Sequence, residues 1–100
     1  MEIGPIYPGE KKPITFNFTS EFKNGTLAQV DVSVTQLKGD DPTPAARLDG
    51  LPLIQGKYVT QDFSNGVAGS QYLLTATGTD SSSHRHVVHA LITVRRPRVA

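Results

Sequence analysis

One hundred residues, 37% hydrophobic and without a cysteine, make a chain of single-domain size whose core must hold without disulfides. Thiolate zinc sites and cysteine nucleophiles are excluded, and a formal net charge of +1 gives no general attraction to nucleic acid or to acidic membranes. No apolar run reaches membrane-spanning length, and MEIGPIYPGEKKP places an early acid, two glycines and three prolines where a signal peptide needs a continuous apolar core, so a soluble chain is expected.

Met1 to Tyr7 reads as a short edge strand, because Pro5 and Pro8 remove backbone donors and confine it to the rim of a sheet. Pro8-Gly9-Glu10 turns the chain into a strong strand in which Ile14, Phe16 and Phe18 alternate with Thr15, Asn17 and Thr19, both phenylalanines inward. Ser20 to Thr26, with Asn24-Gly25, permits either a tight hairpin or a crossing between sheets. The crossing is favoured, since clean alternation stops near Thr19 and resumes at Leu27. From Leu27 to Leu37, Ala28, Val30, Val32 and Val34 oppose Gln29, Asp31, Ser33 and Thr35, a half-buried antiparallel strand. Lys38 to Pro44 is dense in turn formers and belongs on the surface. Ala45 to Leu51 is predicted to hold a short strand that Pro52 ends. Lys57 to Phe63 alternates Tyr58, Thr60 and Asp62 against Lys57, Val59, Gln61 and Phe63, a pattern that permits either face to be buried; the face with Val59 and Phe63 is favoured, and Asn65-Gly66 marks the next turn.

Gly69 to Val94 carries two strands joined by Asp80-Ser81-Ser82-Ser83. Tyr72, Leu74 and Ala76 must share a face with Val88, Ala90 and Ile92, so even positions oppose even positions and the loop has an odd number of residues, three or five, centred on Ser81 or Ser82. Arg95, Arg96 and Arg98 then read as a solvated terminus. No stretch sustains an apolar repeat at helical spacing. The expected fold is all-β: a two-sheet antiparallel sandwich of six or seven strands in one domain, with a core from Phe16, Phe18, Val30, Val32, Val34, Tyr72, Leu74, Ala76, Val88, Ala90 and Ile92.

Tyr72-Leu73-Leu74-Thr75-Ala76 resembles the strand F signature of immunoglobulin-like domains. The resemblance implies an immunoglobulin-like sandwich in which Tyr72 is the corner tyrosine, its hydroxyl bonded to backbone a few residues upstream. The chain departs from antibody domains in lacking the cysteine pair and the strand C tryptophan, and Ala68 stands where many such domains have an acid. A second resemblance covers most of the chain. Pro8-Gly9-Glu10 before Ile14-Thr15-Phe16-Asn17-Phe18, the alternating valines, the Gly66 to Gly69 turn into Tyr72 to Thr77 and the closing Leu91-Ile92-Thr93-Val94 are similar to small immunoglobulin-like phage and prophage virion-associated proteins. That similarity implies a virion structural module, in head or tail, with other virion subunits as protein partners and weak homo-oligomers. An immunoglobulin-like bacterial adhesion domain that binds glycan or protein through its loops is the alternative.

Few residues invite chemistry. His84 and His86 share a face and are the one candidate metal pair, but His89 points the other way, and no metal or other cofactor is expected. Asp40, Asp41, Asp49 and Asp62 fit no calcium loop, and the adjacent pair reads as turn formers. None of the seven serines lies in a G-x-S-x-G turn, so the chain is expected to act without turnover. The sequons Asn17-Phe18-Thr19 and Asn24-Gly25-Thr26 read as chance. The anomaly is the outward face of the last two strands, where Leu73, Val87, His89 and Leu91 form a candidate interface with protein, not with nucleic acid or membrane.

Overall fold

Period-two alternation leaves each strand one apolar face, and the chain buries those faces against each other in two layers. The computed structural model describes residues 2–18 and 27–95, with side chains from Ile6 onward; the Ser20 to Thr26 connection, Arg96 and Arg98 lie outside them. Seven strands follow in order: β1 Glu2–Ile6, β2 Lys11–Asn17, β3 Leu27–Lys38, β4 Leu48–Gln55, β5 Tyr58–Ser64, β6 Gln71–Asp80 and β7 Arg85–Val94. A single 3-10 turn, Pro44–Arg47, precedes β4.

One sheet runs β1-β7-β6-β3 and the other β2-β5-β4. All pairings are antiparallel except β1 with β7. Lettered A to G in chain order, the layers set B-E-D against C-F-G, the immunoglobulin-like arrangement, with the first strand beside the last instead of beside the second. β2 and β3 fall in different sheets, as the favoured crossing requires. β1 is an edge strand, and its register slips between Ile3 and Ile6, around Pro5.

Ile14, Phe16, Phe18, Val59 and Phe63 enter the core from the smaller sheet, and Tyr72, Leu74, Ala76, Ala90 and Ile92 from the larger. Between the layers the Phe63 and Tyr72 rings meet edge-on, centroids 5.2 Å apart. Leu27, Ile6 and Val94 complete the core. Val30, Val32, Val34 and Val88, expected in the core, are partly buried and pack against it. For the three on β3 the reason is position: β3 ends its sheet, so their side chains have a neighbouring strand on one side only.

The strand expected over Ala45 to Leu51 is placed differently. Ala45, Ala46 and Arg47 lie in the 3-10 turn, and β4 runs on through Pro52 to Gln55. Proline is tolerated there because β4 is an edge and its register slips between Asp49 and Leu53, so no ladder bond is lost. Across the gap the buried Gln61 amide donates to Gly50 O at 3.1 Å and Asp49 O at 3.3 Å. Lys57, read as the start of a strand, instead belongs to a two-residue hairpin turn between the paired Gln55 and Tyr58. Gly56, at φ 63°, supplies the left-handed first position that such a turn requires.

The β6–β7 register is the expected one, Tyr72 opposite Ile92 and Ala76 opposite Val88. The loop is Ser81 to Ser83, closed by the Asp80 N–H donating to His84 O at 2.9 Å. Ser83 sits at φ 66°, a conformation that costs an L-residue about 1 kcal/mol. Ser83→Gly is therefore expected to raise the urea midpoint with an unchanged slope, the gain reduced somewhat by the entropy of the unfolded glycine chain. A lowered midpoint would show that the serine side chain outweighs the backbone strain.

Candidate interaction face

On β6 and β7 the odd-numbered residues face away from the core. Leu73 lies directly opposite Leu91, Thr75 opposite His89, and Thr77 opposite Val87. All four candidate interface residues therefore share the outer surface of the larger sheet. Leu73 and Leu91 are partly buried against each other's row, whereas His89 is exposed and Val87 is 46% exposed. A hydrogen bond of 3.1 Å between Thr75 Oγ1 and His89 Nδ1 lays the imidazole along the sheet. Thr35 and Ser33 continue the same rows onto β3. Leu37, 51% exposed and two residues beyond Thr35, belongs with this group and was missed. Its signal was present, since past Leu27 it is the one large apolar side chain among the odd positions of a strand that carries Gln29, Asp31, Ser33 and Thr35 there. Such a surface, apolar at one end and hydroxyl-rich beside it, can bind by packing and desolvation.

The ends of the sandwich are held by two aspartates. Tyr72 is buried, and its hydroxyl accepts from Val67 N at 3.2 Å, the corner bond that the resemblance implied. The same hydroxyl donates to Asp41 Oδ2 at 2.7 Å. The acid missing at Ala68 is thus supplied from the β3–β4 connection. Asp41 Oδ1 also accepts from Thr43 N at 2.9 Å, Arg47 Nε stands 3.5 Å from Oδ2, and Arg47 Nη1 donates to Asn65 O. Burial pushes the Asp41 carboxyl up, but the Tyr72 hydroxyl, the Thr43 N–H and the Arg47 guanidinium outweigh it and hold it below the usual carboxylate range. Burial raises Tyr72, keeping it a donor at neutral pH. Gly39, at φ 101°, lies against Ser70 so closely that a Cβ there would collide with the serine side chain.

Reading Asp41 as a turn former therefore understated it. Of the other acids, Asp49 and Asp62 are brought directly opposite each other, with Lys11 Nζ 3.2 Å from one and 3.8 Å from the other. Asp40 takes no part in that group.

Asp80 caps the β6–β7 loop. Its Oδ1 accepts from Ser82 N at 2.9 Å and His84 N at 3.0 Å, while Oδ2 meets His86 Nε2 at 3.0 Å and lies 3.8 Å from His84 Nδ1. The His86 bond, then the backbone donors, hold this carboxyl below its ordinary range. His84 and His86 thus converge on a carboxylate that the spacing alone did not assign to them, and His89 takes the opposite face as expected. Among the described residues no group of three or more histidines and acids is arranged to hold a metal ion.

Comparison of the chain with protein-family models, with curated proteins and with solved structures finds no match in any of the three.

Asp41 and Asp80 both have folded pKa values below the unfolded value of about 3.9. The unfolded chain binds more protons in the acid range, so their contribution is complete above about pH 5 and is lost as pH falls through the folded values. Urea unfolding from about pH 6 to about pH 2 is expected to show this acid limb, flattened in Asp80→Asn. At pH 7, Tyr72→Phe is expected to cost about 2 kcal/mol, because it strips a donor from a buried carboxylate.

Proposed function

We propose that this chain is a non-enzymatic interaction module that docks to a protein neighbour through the outer face of the β1-β7-β6-β3 sheet, and that the neighbour is a subunit of a phage or prophage particle. The observation that carries the docking face is the side-by-side pairing of Leu73 with Leu91 on a surface that also presents Val87 and His89. The virion assignment rests on the sequence resemblance, which is to proteins that act by assembly. In this reading the chain is made in the bacterial cytoplasm and ends in the particle, in head or tail, and the sandwich supplies rigidity while the sheet face supplies contact.

The test is incorporation. Particles induced from the strain that encodes the chain are purified on a density gradient and assayed for wild-type protein, for Leu91→Arg and for a chain with Asp40, Pro42 and Thr43 replaced by alanine. Wild type and the loop variant are expected in the particle band, with Leu91→Arg folded by circular dichroism but depleted from it about tenfold or more. Wild-type protein found only in the soluble fraction would overturn the virion reading. Loss of the loop variant with retention of Leu91→Arg would move the contact from the sheet to the loops, as an adhesin would have it.

A further inference from the structure

Among the described residues the two sheets have four edge strands, and three of them carry an interruption against further pairing. β1 is five residues long, contains Pro5 and slips register. β2 contains Pro13 and opens with Lys11 and Lys12. β4 contains Pro52 and a register slip of its own. Prolines, bulges and lysines are the ordinary means by which a sheet edge is kept from adding another strand. β3 has none of them in its middle. It is twelve residues long, without proline or glycine, and its register irregularities fall only at its ends, so Gln29 to Gln36 is straight and regular.

Which backbone groups this edge presents follows from the neighbouring ladder. The Val94 N–H donates to Ser70 O and the Asp80 N–H to His84 O, each at 2.9 Å, so the even residues of β6 direct their amides at β7 and the odd residues direct theirs at β3. On β3 the partners of those odd residues are Asp31, Ser33 and Thr35. The N–H and C=O groups of Val30, Val32 and Val34 therefore point out of the sheet. Their side chains are the ones left half-buried at the border of the core.

We infer that the β3 edge is a homodimer interface, in which a second copy of this chain adds its own β3 antiparallel about a two-fold axis through Val32. In that register Val32 faces Val32 of the other copy and Val30 faces Val34, all in hydrogen-bonded pairs, which joins the two larger sheets into one of eight strands. The pattern is self-complementary, as a two-fold interface requires. Asp31 falls opposite Ser33, so no like charges meet, whereas a shift that centres the axis on Asp31 would oppose the two aspartates. The inward valines of each copy gain the neighbouring row that an end strand lacks. The interface is separate from the outer sheet face, so the two readings fail independently.

The measurement is the solution mass of the purified chain by sedimentation equilibrium from about 5 µM to about 500 µM, a range that covers weak to moderate association. Wild type is expected to rise from the mass of one chain to that of two, and Leu91→Arg to follow the same curve. Val32→Pro removes an N–H that no described residue of the same chain accepts, and is expected to weaken association more than about tenfold while keeping the strand spectrum. Val30→Lys, a charge at the same edge, should do likewise and serves if the proline variant is unfolded. Wild type that stays monomeric throughout, or folded edge variants that associate as wild type does, would overturn the inference. Association lost in Leu91→Arg but kept in Val32→Pro would equally overturn it.

Discussion

The bond from the Tyr72 hydroxyl to the Asp41 carboxylate is the point on which the two layers are hung. Tyr72 belongs to β6, at the middle of the larger sheet, and Asp41 to the segment that leaves that sheet for the smaller one. Arg47, which reaches the same carboxylate, leads into β4, and Asn65 and Val67, which Arg47 and Tyr72 engage, lie between β5 and β6. Two of the three described crossings at this end, β3 to β4 and β5 to β6, therefore converge on one charge removed from water. An isolated buried carboxylate would be costly, and it is tolerated because a hydroxyl and an amide donate to it and the Arg47 guanidinium charge stands 3.5 Å away. Tyr72 also sets its ring against Phe63 of the other sheet, so the residue that anchors the polar corner is the one that spaces the apolar layers.

The opposite end uses the same chemistry on a shorter range. Asp80, like Asp41, accepts the amide two residues ahead of it, the local turn that aspartate favours. The difference lies in what the second carboxylate oxygen does. In Asp41 it reaches another strand across the fold, whereas in Asp80 it stays within its own hairpin and meets His86. One aspartate thus fixes topology and the other fixes a loop.

Strand alternation was legible because each strand buries one face, and a period of two survives in sequence without any knowledge of partners. From it came the two layers, the β6–β7 register and the odd loop, since parity alone decides them. Tyr72 was legible through its local context. Pro52 misled because a proline reads as a strand end unless the strand is known to lie at an edge with a register slip, and that depends on the order of strands. Asp41 was hidden for a related reason: in Gly39-Asp40-Asp41-Pro42 it looks like any turn acid, and the tyrosine and arginine that make it structural come from distant parts of the chain. Gln61 was half legible: alternation sets it on the buried face with Val59 and Phe63, but the carbonyls of Asp49 and Gly50 that satisfy its amide follow from the gap in β4. For the candidate face, alternation placed Leu73, Val87, His89 and Leu91 on one surface, but the pairing that sets Leu73 against Leu91 required the register.

The parallel pairing of β1 with β7 sets an order of events for the nascent chain. Of the seven strands, the first to be synthesised has its sheet partner in the seventh, so it must wait, without that partner, through the synthesis of the five strands between them. Closing so long a loop is entropically expensive before any contact rewards it, and topologies dominated by such contacts fold slowly. Until then the Glu2–Ile6 segment is an extended piece of chain with no ladder to join. Its proline, needed in the finished sheet only to blunt an edge, also makes it a poor template for mispairing during that interval. The strand made earliest of the seven is among the last to be secured.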